Sequence, residues 1–436
     1  MQQNVIEGLF AFLDAGVSPF HAVAAAEGLL RAAGFSRLEE GAAWQLAPGG
    51  RYYTTRNQSS IVAWRMPPDG ALTGWHAAAS HSDAPAWRLK NTACADKYYA
   101  KAAVEGYGGM IMSSWLDRPL SVAGRVLVRT PDGVKSRLIA PDRALLCIPS
   151  QAIHQNRGVN DGYKFNPQVD LQPVYGMAGA DLADVLTAEA AVCPRADVLS
   201  YDLVLCVRQQ AVRVGLHGEW FMAPRIDDLE CAYTTLRGFL AGRGEEPGRA
   251  DVWAMFDNEE VGSSSRQGAQ GTFLSDVMAR IEESLGLTAE QSVRARAGSL
   301  LLSADNGHAV HPNHPEKSDP ANPTLPGGGV LVKVNASQKY TTSGLTAALF
   351  GEICRRAEVP VQTFYNRADQ PGGSTLGNLL GHQISIPMVD IGLAQLAMHA
   401  AVETAACADA EAMVCAAAAF YNTPLAQTAD GVWSIG

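Results

Sequence analysis

The sequence predicts an α/β fold, a mainly parallel sheet with helices on its faces, interrupted by a β-rich insertion. Three observations carry that expectation. After residue 216, helix-like and strand-like stretches alternate: "DLECAYTTLRGFLAG", "DVWAMF", "GTFLSDVMARIEESLG", "SLLLSAD". Alternation of this kind is how a parallel sheet is built, because each crossover needs a helix. Residues from about 93 to 215 read differently, as short strands broken by Gly, Pro and Asp. Finally, 436 residues are enough for two domains, or for one domain with a large insertion.

Along the chain, the first forty residues read as helices. Ser18-Pro19 is an N-cap and first-turn pair ahead of "HAVAAAEGLLRAA", and Gly34 can close that helix. From Ile61 to Ser80 apolar runs alternate with turn residues such as Pro67-Pro68-Asp69-Gly70, a strand pattern. "SVAGRVLVR", "VKSRLIA", "ALLCI" and "YDLVLCVRQQAVRVGL" supply the strands of the insertion. The expected division is therefore 1–92, 93–215 and 216–436, with the first and last parts forming one domain. The segment from His311 to Gly329, rich in Pro, Asn and Gly, is a loop long enough to suspect function.

Bulk properties exclude several classes. A net charge of −10 without a basic cluster argues against nucleic-acid binding. No segment offers the roughly 20 apolar residues of a membrane helix; the nearest, Ala412 to Tyr421, is stopped by Glu411 and Asn422. The start, "MQQNVIEGLF", has no cationic n-region and is not read as a signal peptide. Eight cysteines without a C-x-x-C pair suggest reduced thiols and a cytoplasmic protein.

The chemistry gathers where apolar runs end. "DVWAMF" runs into Asp257, Glu259 and Glu260; "GWHAAASHSDAP" carries His81 and Asp83; "FMAPRIDDL" carries Asp227 and Asp228; "SLLLSAD" ends in Asp305. "GLAQLAMHA" places His399 near the start of the last helix. Crowded carboxylates repel and lose hydration, so a positive group is expected among them. Turns and helix N-termini also welcome single acids, which is the plain alternative for each one. In open α/β sheets, ligand sites gather at the carboxyl ends of strands. A His/Asp/Glu set without Cys suits catalytic zinc, manganese or cobalt. One ion could not use so many acids; two could share a bridging carboxylate, and a carboxylate left over could accept a proton.

The stretches "SHSDAP.WRLK", "FMAPRIDDL", "FDNEEVGS.S.QGAQ", "SADNGHAVHPN", "VKVN..Q.Y", "D.P.GST.G" and "QLAMH", in this order and spacing, resemble the aspartyl aminopeptidase family of metallopeptidases over nearly the whole chain. The resemblance implies a dinuclear-zinc exopeptidase-like α/β/α sandwich with an inserted β-rich dimerisation domain, and dimers that build a homododecamer. It implies two divalent metal ions per subunit, zinc first and manganese or cobalt as alternatives. Asp227 would bridge them, with His81 and Asp305 on one ion and Glu260 and His399 on the other. Glu259 would be the general base and Asp83 the carboxylate orienting His81. The Asp227–Asp228 peptide is expected to be cis.

The same resemblance assigns Lys333 and Tyr340 to the substrate, Lys333 facing an acidic N-terminal side chain. His154 would work in the neighbouring subunit, beside the substrate carbonyl. An internal salt bridge is the alternative for Lys333. His308 and His311 are left for the loop or the substrate lining, and Asp257 for a turn. Two positions depart from the commoner family form: Gly372 stands where Cys is usual, and Ser150 where His is frequent. The expected activity is removal of N-terminal residues, preferably Asp or Glu, from peptide substrates. Alternatives are neutral, Leu-type specificity and a catalytically idle scaffold of the same fold.

Overall fold

A nine-stranded sheet carries the site, and its middle is fully buried on both faces. The computed structural model describes residues 2–94, 96–192 and 194–436. Four adjacent strands are parallel: Arg249–Phe256, Gly74–His81, Leu300–Ala304 and Met388–Gly392. Ser60–Arg65 flanks them antiparallel on one side and Val330–Val334 on the other. Side chains on a strand alternate between faces, and Arg249–Phe256 shows it. Trp253 and Met255 join one core cluster, while Val252, Ala254 and Phe256 join the other.

Helices cover both faces, giving the expected three layers. Gln2–Ala15, Pro19–Ala32, Ile226–Ala241, Gly344–Arg356 and Cys407–Tyr421 lie on the first face. Ser18 caps the second of these, its hydroxyl accepting from the His21 amide. Phe273–Ser284, Ala289–Ala297 and Leu376–Leu380 cover the opposite face. The segment from His311 to Gly329 is largely irregular, as its composition suggested, with one short turn of helix at Pro315–Lys317.

The insertion is a second sheet of six antiparallel strands with its own core around Trp87, Val122, Val126, Leu203 and Leu205. Its limits differ from those expected. The division between 92 and 93 falls inside the strand Ala86–Cys94, and Val212–Val214 belongs to a third sheet, paired with Trp220–Ala223. The reason is visible in Trp87-Arg88-Leu89-Lys90, where buried and exposed residues alternate. That period-two pattern marks a half-exposed antiparallel strand, so the second sheet begins as soon as Pro85 ends the first.

The third sheet has the order Val212–Val214, Trp220–Ala223, Glu403–Ala406, Ala394–Leu396, Gly307–His308. It ties together the chain just before Asp227, just after Asp305 and on both sides of His399. His399 is therefore in a hairpin loop between Ala394–Leu396 and Glu403–Ala406, not near the start of the last helix, which begins only at Cys407. Ala397 and His399 take left-handed backbone conformations, φ 58° and 67°, and antiparallel pairing overrides the helical propensity of this Ala- and Leu-rich stretch.

Candidate metal centre

The parallel strands deliver three parts of the site at their carboxyl ends. His81 is the last residue of its strand and pairs in register with Phe256. Asp305 follows Ala304, its amide bonded to the Ile391 carbonyl. Here the chains approach closely: a Cβ on Gly392 would lie 2.0 Å from the Asp305 carbonyl oxygen. Beyond Phe256 the chain leaves strand geometry through left-handed Asn258 into a short 3₁₀ turn, Glu259–Val261, closed by Gly262 at φ 93°. That turn lets the neighbours Glu259 and Glu260 face the same cluster; a regular strand would point them to opposite faces. Asp227 and Asp228 open the helix Ile226–Ala241, and the peptide bond between them is cis.

Asp227 is the meeting point. The His81 imidazole Nε2 lies 3.3 Å from its Oδ1, and the His399 Nε2 lies 3.5 Å from its Oδ2. Glu260 Oε1 approaches the same His399 nitrogen at 3.4 Å. On the far side of each ring, Nδ1 is bound to a backbone carbonyl, Asp83 for His81 (3.0 Å) and Gly109 for His399 (2.6 Å). A carbonyl can only accept, so Nδ1 carries a proton, and in the neutral ring the Nε2 lone pair points inward.

These residues fit divalent ions. His81, Asp227, Asp228 and Asp305 offer ligand atoms within 4.8 Å of one another; so do Asp227, Glu260 and His399, and His81, Glu259 and Glu260. Asp227 Oδ1, Asp228 Oδ1 and Glu260 Oε1 are buried with no hydrogen-bond donor. Buried carboxylate oxygens without donors are costly, and cations at these oxygens would satisfy them. Asp228, which sequence reasoning left without a role, also accepts the His81 amide at 3.1 Å.

The local electrostatics report the same deficit of positive charge. Burial pushes Glu259 up to about 8 and Asp305 up to about 6, the latter restrained by Lys333. Burial and the neighbouring Asp227 raise Glu260 as well. Asp227 goes the other way: burial works against its charge, but the His399 and His81 imidazoles facing it, when protonated, hold it well below the usual carboxylate range.

The Asp83 carboxylate is a hub. It lies 3.4 Å from His81 Nδ1, farther than its own backbone carbonyl, and it accepts the amides of Glu259 and Glu260 at 3.1 Å each. Tyr107 donates to it at 2.7 Å. Asp257 is buried behind this turn and accepts from the Asn258 amide. Glu403 was not anticipated. One of its oxygens accepts the Asp227 amide (3.1 Å) and the other the His399 amide (2.7 Å), so it holds two candidate ligands from distant segments. Its only signal is an acid inside the apolar run "HAAVETAAC".

Of the other expected residues, Lys333 and Tyr340 lie beside the cluster and the rest outside it. Lys333 is buried, its ammonium donating to the Asn306 carbonyl (3.0 Å) and 3.7 Å from Asp305 Oδ2. Tyr340 is also buried, its ring 5.3 Å from that ammonium. His308 and His311 are exposed and outside the cluster. His154 is exposed in the loop after Ile148, and Ser150 in the same loop bonds Asp117. Gly372 lies in the irregular segment before the helix Leu376–Leu380.

Residues 12–421 match the family model described as aminopeptidase I zinc metalloprotease (M18). The chain belongs to the M18 aminopeptidase family. It is a metallo-aminopeptidase by that membership, and its buried His/Asp/Glu cluster is of the kind such enzymes need. It is 38% identical over 432 residues to a probable M18 family aminopeptidase 2 of Pseudomonas aeruginosa (strain UCBPP-PA14), covering 97% of this chain and 99% of that one. Among solved structures, that of the Ape4 and Nbr1 complex superposes with a TM-score of 0.91 at 31% identity, over 96% of this chain and 86% of that one. The S. cerevisiae mApe1 dodecamer gives 0.83 at 26% identity, over 96% of both chains.

The raised carboxylates make metal-free M18 protein sensitive to pH. Glu259 and Glu403 rise from 4.5 to about 8, Asp257 from 3.8 to about 7 and Asp305 from 3.8 to about 6. In this range the folded state binds more protons than the unfolded chain, so stability falls as pH rises. Chelator-treated enzyme should therefore lose melting temperature progressively between about pH 5 and pH 8. Metal-loaded enzyme should lose much less, because the ions replace the protons. Parallel thermal melts across that range are the check; equal slopes would rule out the cluster as the source.

Proposed function

We propose that the enzyme hydrolyses the N-terminal peptide bond with two divalent ions and Glu259 as general base. The observation that carries this is Asp227 lying between the inward Nε2 atoms of His81 and His399, with Glu259 in the same cluster. In this reading Asp227 would serve both ions, His81 and Asp305 would hold one, and Glu260 and His399 would hold the other. When bound, such a pair polarises a carbonyl and makes water a nucleophile near neutral pH.

The chain's own residues supply the rest. Glu259 takes the proton from the attacking water and delivers it to the leaving amine, the two transfers a general base–acid must make. The Asp83 carboxylate fixes the turn that presents it, through the Glu259 and Glu260 amides. Glu403 aligns Asp227 with His399 through their backbone N–H groups.

Glu259→Gln should keep both metals and lose activity by about 10²–10⁴-fold, the usual weight of a general base. Glu260→Gln should instead bind less metal. Metal analysis beside turnover on a peptide distinguishes them, and reversed metal contents would overturn the assignment.

We further propose that acidic N-terminal residues are preferred, with Lys333 as the buried cation beside the centre. The pairing of Lys333 with Asp305 favours a second reading, neutral specificity with a structural lysine. Lys333→Met read on Asp-, Glu- and Leu-initiated peptides decides between them. Loss confined to the acidic peptides supports the first, equal loss the second.

Self-association completes the reading. The inserted segment exposes Tyr98, Tyr99, Ile153, Val169 and Met177, an apolar set suited to contact between subunits, and a dodecamer is the state of the related mApe1 structure. His154, on this exposed side, would reach the partner's active site and stabilise the oxyanion. The seven cysteines among the described residues are all free, which supports a reducing, cytoplasmic location. Mixing inactive His154→Phe with inactive Glu259→Gln under subunit exchange should restore activity, since one site per mixed dimer regains both groups. No recovery despite demonstrated exchange would place His154 within its own chain or outside the reaction.

A further inference from the structure

Behind the metal centre, where the first sheet meets the inserted one, lies a cavity of about 230 Å³. None of the candidate metal ligands lines it; Ser82 and Ala400, the chain neighbours of His81 and His399, do, as does Ala84 beside Asp83. One water takes up about 30 Å³ of liquid, so the space is several waters large. Its walls include apolar side chains, Phe20, Leu203, Leu205 and Val207.

Among the described residues, two hydrogen-bond donors on its lining have no acceptor. The first is Arg225 Nε, which is buried; that guanidinium's bond is from Nη2 to the Leu13 carbonyl, 3.0 Å away. The second is the indole Nε1 of Trp115, a residue only 4% exposed. The acids lining the cavity are already engaged. Asp202 accepts from Arg88 at 2.9 Å and from Arg125 at 2.8 Å. Glu403 takes the Asp227 and His399 amides, and Asp257 takes the Asn258 amide. Among the described residues, Arg225 forms no ion pair.

Arg225 is half-buried, and Asp14 and Glu403 act on its charge only from beyond ion-pair distance; a guanidinium paired so incompletely in such a place is costly. The group that relieves it, and also serves an indole N–H, accepts hydrogen bonds, donates none and carries negative charge. A carboxylate does all three. The committed acids nearby disfavour a multiply charged anion, and the apolar walls favour a hydrocarbon stem. We propose that this cavity binds a small carboxylate on a short apolar stem, at a site separate from the metal centre. Because Ser82 and Ala84 flank Asp83, and Ala400 follows His399, an occupant would bear on the segments that carry the catalytic cluster.

The probe is isocaproate, titrated calorimetrically into metal-loaded enzyme whose centre is saturated with an amino-acid hydroxamate. One equivalent should bind per chain, while isocaproamide and inorganic phosphate should not. Arg225→Gln removes the cation, and Ala123→Met fills the cavity from the strand Leu120–Thr130. Each should weaken binding by about tenfold or more, the weight of a charged hydrogen bond or of lost space. Circular dichroism and melting confirm that each variant folds, and the acid–amide comparison in unaltered enzyme stands without either. Absence of binding by isocaproate means the space holds only water and overturns the proposal. So does binding that the hydroxamate abolishes, or that both substitutions leave unchanged. Equal binding of phosphate or of the amide overturns the carboxylate assignment.

Discussion

The structure turns on one constraint: carboxylates concentrated where water is scarce. Asp227 keeps its charge because two imidazoles face it, while Glu259, Glu260, Asp228 and Asp305 are driven toward protonation by burial. Such a cluster is destabilising as bare protein and becomes favourable with cations in it. The surrounding architecture resists rearrangement that would relieve the repulsion otherwise. Each acid is anchored by main chain at a strand end or helix start, not by a long flexible side chain alone.

That anchoring depends on the sheets. Parallel strands buried on both faces cannot slide without moving apolar side chains off both cores, so His81, Asp305 and the turn after Phe256 stay in register. The third sheet does the same for the remaining two segments. Its strands Trp220–Ala223 and Glu403–Ala406 pair directly, which brings Glu403 under both Asp227 and His399. The polar contacts then set orientation within a frame that the apolar core has already placed.

Much of this was legible in the sequence because the logic is local. An apolar strand ending in acids or histidine is a readable pattern, and the strands near residues 61–80, 251–256 and 300–304 formed as their composition indicated. What was missed has meaning only in three dimensions. Glu403 looks like a stray acid until the hairpin folds it against two amides. His399 lies in a stretch whose helical propensity loses to strand pairing. The charge on Lys333 asks for an anion, but only the fold shows that Asp305 is near enough to be one. The start of the insertion was placed late because "SHSDAPAWRLK" reads as a single motif, although its first half ends one sheet and its second half begins another.

The Gly109 carbonyl that orients His399 has a wider consequence. Gly109 lies just past Gly108, which follows the inserted-sheet strand Tyr99–Tyr107, and Tyr107 itself bonds both Asp83 and Asn258. The insertion thus reaches into the centre from two sides. It resembles a cassette, joined through short links and carrying its own core, yet it is not interchangeable with one. Trimming it to a tight loop would leave every candidate ligand in the chain and still remove the fixed aim of one imidazole. In lineages descending from this architecture, the inner edge of the insertion is bound to evolve together with the chemistry it supports.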